Sequence, residues 1–70
     1  MKPLTPQETR ILDLIGQGHS SSQIAYSLNI STHTVETHRK NLLMKLEAKN
    51  SAELIRKAIQ TKAISIHHKE

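Results

Sequence analysis

The chain has 70 residues, a formal net charge of +4 and no cysteine, which excludes a disulfide framework and a thiolate metal site. Tyr26 is its only aromatic residue, so the core must consist of Ile, Leu, Val and Ala, which suit packed helices better than a sheet. No apolar run approaches the ~20 residues that cross a bilayer, and no signal-peptide stretch is present, so we expect a cytoplasmic protein without membrane contact.

The first helix is predicted over residues 6–17. Thr5 can cap it with its hydroxyl, a proline follows at the first helical position, and Glu8 can reach back to the Thr5 amide. Together these residues make a capping box. Apolar residues then recur at helical spacing, and Gly16 and Gly18 are expected to end the element.

A run of three serines begins a short second helix, predicted over residues 21–28. Asn29 can adopt the left-handed conformation that ends it. Ile30 is expected to be buried in the turn, and Ser31 to cap a third helix over residues 32–46.

The third helix is narrowly amphipathic. Three apolar residues share its inner face, namely Val35, Leu42 and Leu46. At ~100° per residue, the opposite face holds His33, Glu36, Thr37, Lys40 and Met44. This outer face is polar apart from Met44, so another molecule can read it.

A fourth helix is predicted over residues 51–62, because the segment that begins with Asn50 carries a second capping signal. Residues 67–70 are expected to form a flexible tail. The sequence therefore predicts one all-α, four-helix bundle-like domain over residues 1–66.

The second and third helices form a helix-turn-helix pattern, since they differ in length and enclose a short turn with an aliphatic residue. The shorter helix then holds the longer one outward, where it fits the DNA major groove. The charge agrees, because residues 32–70 carry eight Lys or Arg against four Glu, whereas residues 1–31 are neutral. Ordinary solubilising charge and helical hairpins of scaffold proteins remain alternatives at this point.

The chain carries, in order and without a gap, the motifs Leu4-Thr5-Pro6 with Glu8, Ile11-Leu12, Leu14-Ile15, Gly18, Ile24-Ala25, Leu28, Ile30-Ser31, Thr34-Val35, His38-Arg39, Asn41-Leu42, Lys45-Leu46, Lys49-Asn50 and Ala52-Glu53-Leu54. Over residues 4–59 it thus resembles the DNA-binding domain of LuxR-type regulators, also called the GerE or FixJ type. The resemblance implies a four-helix domain that binds DNA, usually as a dimer through the fourth helix, and regulates transcription. It also implies, for many members, an amino-terminal receiver or ligand-sensing domain, and RNA polymerase is a further partner to consider.

The resemblance places groove and phosphate contacts on the third helix, at Thr34, Glu36, Thr37 and Lys40. Lys40 is the leading candidate for a base-edge or phosphate contact, and Thr37 offers a hydroxyl and a methyl group. Further candidates for contacts with DNA are His33, Asn41, Lys45, Lys49, Ser21 and Ser22, the two serines lying where a helix dipole favours anions. The alternative is a solvated helix face.

Two charged residues of the third helix have competing interpretations. Glu36 stands where many family members have a basic residue, and it either accepts from a cytosine amino group or pairs with Lys40 one turn on; we favour the pair. Arg39 lies beside the inner stripe, where we expect an ion pair with Glu8, a phosphate contact being the rival. His38 is expected to be a packing residue.

The fourth helix offers a candidate dimer seam of Ile55, Ile59 and Lys62, with core packing as the alternative. No histidine set has metal-ligand spacing, no catalytic constellation is recognisable, and we expect neither a cofactor nor enzyme activity. We therefore predict sequence-specific binding of double-stranded DNA, with residues 32–46 in the major groove of an inverted repeat bound by a homodimer. The alternatives are the promoter-reading module of a sigma factor and a protein-interaction module.

Overall fold

Residues 3–61 are described by a computed structural model, in which four α-helices follow one another. They are α1 (Pro6–Gly16), α2 (Ser21–Leu28), α3 (Thr32–Lys45) and α4 (Ser51–Gln60). No strand occurs in these residues, and the predicted all-α class is confirmed. The predictions for Lys62 and for a tail over residues 67–70 lie outside the described residues.

Each helix begins at a polar cap whose side chain accepts a hydrogen bond from the backbone N–H three residues on. The four caps are Thr5, Ser20, Ser31 and Asn50. At α1 the predicted capping box is present, since the Glu8 carboxylate accepts from the Thr5 amide at 3.0 Å and the Thr5 hydroxyl accepts from the Glu8 amide at 3.1 Å. Each cap contributes about 1 kcal/mol to helix stability.

The turn between α2 and α3 forms at the predicted residues, although Ile30 is less buried than expected. Asn29 takes the left-handed conformation, with φ 57° and ψ 46°, and the Ile30 amide donates to the Ala25 carbonyl at 3.0 Å. Ile30 is half-buried and packs against the core. Gly18, which was predicted with Gly16 to end the first helix, has φ 92° just after that helix ends. The positive φ of Glu47, 55°, has no counterpart in the sequence analysis.

The core gathers aliphatic residues from every helix, and α3 packs against all three others. Its buried hydrophobic residues are Ile11, Leu12, Ile15, Ile24, Ala25, Val35, Leu42, Leu46, Leu54 and Ala58. The predicted inner face of α3 is therefore confirmed. None of the four helices within residues 3–61 combines the length and the apolar composition of a membrane-spanning segment.

Candidate nucleic-acid interface

The outer face of α3 is exposed as predicted. His33, Glu36, Thr37, Lys40 and Met44 all lie at the surface, and Met44 is 67% exposed. Within residues 3–61, Lys40 makes no ion pair, so its ammonium is available to a ligand. The Thr37 hydroxyl donates to the His33 carbonyl at 3.1 Å, which uses its hydrogen, and Thr37 as a whole is exposed.

Glu36 has different partners from the one expected. Its Oε2 accepts a hydrogen bond from the Ser21 hydroxyl at the start of α2, and its Oε1 lies 3.7 Å from the Arg39 Nε. The predicted pair with Lys40 is therefore wrong, because α2 and the nearer cation three residues on reach the carboxylate first. Ser21 is half-buried, and its hydroxyl hydrogen is taken by Glu36.

The predicted pair between Arg39 and Glu8 is also wrong. Glu8 is buried and accepts from Lys45, with 2.6 Å between Oε1 and Nζ. Arg39 turns to α4 and donates from Nη2 to the Ser51 hydroxyl at 2.5 Å. The amino terminus of α1 lies beside the last turn of α3, and Arg39 is six residues earlier, about 9 Å along the helix axis.

Lys45 therefore has a structural partner in place of the phosphate contact expected for it. Its ammonium also donates to the Pro3 carbonyl at 3.3 Å, and the Lys45 and Glu8 side chains are only 23% and 5% exposed. Burial raises the pKa of Glu8, but the hydrogen bonds from Lys45 and from the Thr5 amide, with the Lys45 charge, hold that pKa below its ordinary value.

The other candidate DNA contacts are exposed to different degrees. Ser22 and Lys49 are exposed, whereas Asn41 and Thr34 are half-buried. The Thr34 and Ser31 hydroxyl oxygens lie 2.8 Å apart in a hydrogen bond, which ties Thr34 to the cap of α3. The structure thus exposes Lys40, Thr37 and His33 together on the outer face of α3.

The candidate dimer seam divides in two. Ile55 is half-buried and packs against the core, while Ile59 is 41% exposed. Core packing therefore explains the buried part of the Ile55 side chain, whereas Ile59 remains an exposed apolar residue of α4.

Tyr26 is a surface residue that the sequence analysis gave no role, and it is 89% exposed on α2. Its exposure follows from spacing, because Ile24, Ala25 and Leu28 already define the inner face of that helix. His38 is half-buried, and its Nδ1 is buried without a hydrogen-bond partner, as suits a packing residue. Among residues 3–61, no three His, Asp or Glu side chains come together as a metal site would require.

Residues 2–58 match the family described as bacterial regulatory proteins, luxR family. The chain belongs to this family. The luxR-family domain is 49% identical over 63 residues to the transcriptional regulatory protein MctR of Rhizobium johnstonii, covering 90% of this chain and 29% of MctR. It is 37% identical over 59 residues to the transcriptional regulatory protein FixJ of Rhizobium meliloti, covering 84% of this chain and 29% of FixJ. The chain thus spans under a third of either relative.

Solved structures agree with this assignment. The transcription factor GerE superposes with a TM-score of 0.85 at 28% identity, over 93% of this chain and 97% of GerE. The response regulator ChrA of a heme-sensing two-component system superposes with a TM-score of 0.87 at 36% identity, over 91% of this chain and 32% of ChrA. The resemblance found in the sequence is confirmed, and family membership decides for the LuxR type over the sigma-factor module. The luxR-family domain is thus a DNA-binding domain of transcription regulators.

Proposed function

We propose that the luxR-family domain binds double-stranded DNA sequence-specifically, with α3 in the major groove. One observation carries the proposal: α3 is buried on one face and exposed on the opposite face. Val35 and Leu42 are fully buried on one face, while Lys40, Thr37 and His33 are exposed on the other. A helix that packs on the core with its apolar face and exposes a polar face fits a groove that presents hydrogen-bonding base edges.

The side chains take different parts in this interface. Lys40 is the main cationic contact to a base edge or phosphate, and Lys49 and Ser22 contact phosphates at the margins, where they fix register without reading sequence. Thr34 and Asn41, which are half-buried, can donate at the edge of the groove. Lys45 is not required as a contact, because Glu8 already neutralises it.

We further propose that two copies bind an inverted repeat, with Ile59 and the exposed part of Ile55 in the seam between them. The position of Ile59 supports this, since it is exposed and lies one helical turn from Ile55, so the two side chains can share one apolar surface of α4. Lys62, which follows α4 in sequence, is the third member of the proposed seam.

The regulatory proteins MctR and FixJ are more than three times as long as the part that matches this chain. Their length supports an additional receiver domain in the whole protein. A DNA-binding domain of a bacterial regulator works in the cytoplasm, and RNA polymerase is the machine that such a regulator influences. Binding, rather than catalysis, is the function that we assign to the domain.

A titration of the purified domain into labelled mixed-sequence duplex at two salt concentrations tests the proposal. Affinity is expected to fall at least about tenfold between roughly 50 and 200 mM salt, because counterions are released from neutralised phosphates. Lys40→Ala should weaken binding and reduce the salt slope by about 1. Arg10→Ala is the charge-matched control, since Arg10 is an exposed cation of α1 and lies outside the helix-turn-helix.

The two outcomes separate clearly. If the duplex does not bind even at low salt, DNA binding by this domain is refuted, and binding to a protein partner becomes the better-supported function. Equal losses from Lys40→Ala and Arg10→Ala would refute the placement of α3 in the groove.

A further inference from the structure

The outer face of α3 contains one negatively charged side chain that a purely phosphate-binding surface would not need. Glu36 is exposed among residues that we propose to face DNA, and its side chain retains 56% of its accessible surface. A carboxylate near phosphates is repelled by them. Phosphate binding alone therefore does not account for a carboxylate at this position.

Glu36 is also held in place from two sides. The Ser21 hydroxyl, from α2, donates to Oε2, and the Arg39 Nε lies 3.7 Å from Oε1. Arg39 is itself fixed by its hydrogen bond to Ser51 at 2.5 Å. The carboxylate is thus oriented and partly neutralised before any ligand arrives.

The Glu36 carboxylate can still accept hydrogen bonds from a ligand. An ionised carboxylate has about four lone-pair sites, and Ser21 occupies one of them, with Arg39 near the other oxygen. The remaining sites face solvent, as the exposure of Glu36 requires. They accept hydrogen bonds and cannot donate any.

We propose that Glu36 is a specificity-determining residue that accepts a hydrogen bond from the amino group of a cytosine, and that Ser21 is its positioning residue. The inference rests on the proposed insertion of α3 in the major groove. There, guanine presents two acceptors and thymine presents an acceptor, so both repel a carboxylate. Adenine places its N7 acceptor beside its amino group, whereas cytosine presents the amino donor alone.

Ser21 matters because it restricts the rotamers of Glu36. Without that hydroxyl, the carboxylate is free to swing toward Arg39, or toward Lys40 at the i+4 position. Either arrangement takes the acceptor away from the base edge. The loss of Ser21 is therefore expected to weaken base discrimination while it leaves phosphate contacts in place.

The test begins with selection of preferred duplexes from a randomised pool by the wild-type domain and by Glu36→Gln at one salt concentration. The position whose preferred base changes between the two selections is the one that Glu36 reads. At that position the wild type should prefer cytosine, and replacement by each other base pair should cost about tenfold in Kd. Glu36→Gln should prefer adenine, since an amide pairs with adenine as both donor and acceptor.

The positioning role is tested with three variants of α2. Ser21→Ala should weaken binding of the cytosine duplex severalfold and leave Kd for the three replaced duplexes unchanged. Ser21→Thr keeps the hydroxyl and should restore the cytosine preference. Ser27→Ala is the matched control for Ser21→Ala, because Ser27 is exposed on the same helix. Asp13→Asn on α1 is the control for Glu36→Gln, because it also removes one negative charge.

Each outcome decides the matter. Identical preferred sites for the wild type and Glu36→Gln would overturn the specificity role. A lower melting temperature for Ser21→Ala with an unchanged base preference would show that Ser21 only joins the helices, and would overturn its positioning role. Salt-dependent binding without any base preference would overturn this inference alone, whereas no binding of any duplex would refute the proposed function itself.

Discussion

Removal of Lys45 is expected to destabilise the domain strongly, because it leaves the buried Glu8 carboxylate without its cation. Removal of one partner of a buried ion pair costs about 3–5 kcal/mol. Two features of the structure favour a smaller value for Lys45→Met: the Lys45 side chain is 23% exposed, and Glu8 keeps its hydrogen bond from the Thr5 amide. We therefore expect a loss of about 2–3 kcal/mol.

That loss is large for a domain of this size. At about 0.05–0.15 kcal/mol per residue, the 70-residue chain has a total stability of roughly 4–10 kcal/mol. The melting temperature of Lys45→Met should therefore fall by about 10–20 °C, since 1 kcal/mol corresponds to about 4–8 °C in a small domain. Urea denaturation followed by circular dichroism measures the free energy of unfolding, and thermal denaturation followed by the same signal measures the melting temperature.

The matched control is Arg56→Met, which breaks an exposed ion pair with Glu53 at 3.4 Å and should cost no more than about 1 kcal/mol. The double variant Glu8→Gln with Lys45→Met should recover part of the loss, because no buried charge is then left unpaired. A Lys45→Met variant within about 0.5 kcal/mol of the wild type, the usual range of surface substitutions, would refute this reasoning.

Three further predictions follow from single residues. The folded pKa of Glu8 lies below its ordinary value of 4.5. The ionised Glu8 carboxylate therefore contributes fully to the free energy of unfolding above pH 4.5, and this contribution is lost as the pH falls through the folded pKa. The stability difference between the wild type and Glu8→Gln should accordingly shrink in urea titrations taken to lower pH, and a constant difference would contradict it. Asn29→Ala should cost about 1–2 kcal/mol by denaturation, since Asn29 is left-handed, whereas Asn29→Gly should be nearly neutral. Ile59→Glu should weaken binding to an inverted repeat but not to a single half-site, and equal losses on both duplexes would exclude Ile59 from the dimer seam.

The features of this fold that could be predicted from sequence are those decided within a few residues. Thr5 and Ser31 cap their helices because a hydroxyl can reach an amide three residues on. Asn29 ends α2 because its side chain tolerates positive φ. The division of α3 into an inner and an outer face follows from helical periodicity alone.

The partners of charged residues could not be predicted in the same way. Glu8 and Lys45 are 37 residues apart in sequence, so their contact depends on which end of α3 meets the start of α1. The spacing of Glu36 and Lys40 favoured a local pair, but Ser21 of α2 lies close enough to compete. Pairing of this kind is set by the packing of whole helices, and sequence separation carries no signal for it.

The contacts that were missed together explain how α3 can present a fixed surface. One polar link joins α3 to each other helix: Lys45 binds Glu8 of α1, Glu36 accepts from Ser21 of α2, and Arg39 donates to Ser51 of α4.

Arg39 and Lys45 are half-buried and Glu36 lies on the outer face itself, and the three links leave Lys40 and Thr37 exposed. A helix fixed in this way loses little conformational freedom when it enters a groove, so its side chains arrive already oriented. We therefore expect the loss of a link to reduce base discrimination more than total affinity, because phosphate contacts tolerate small displacements that base contacts do not.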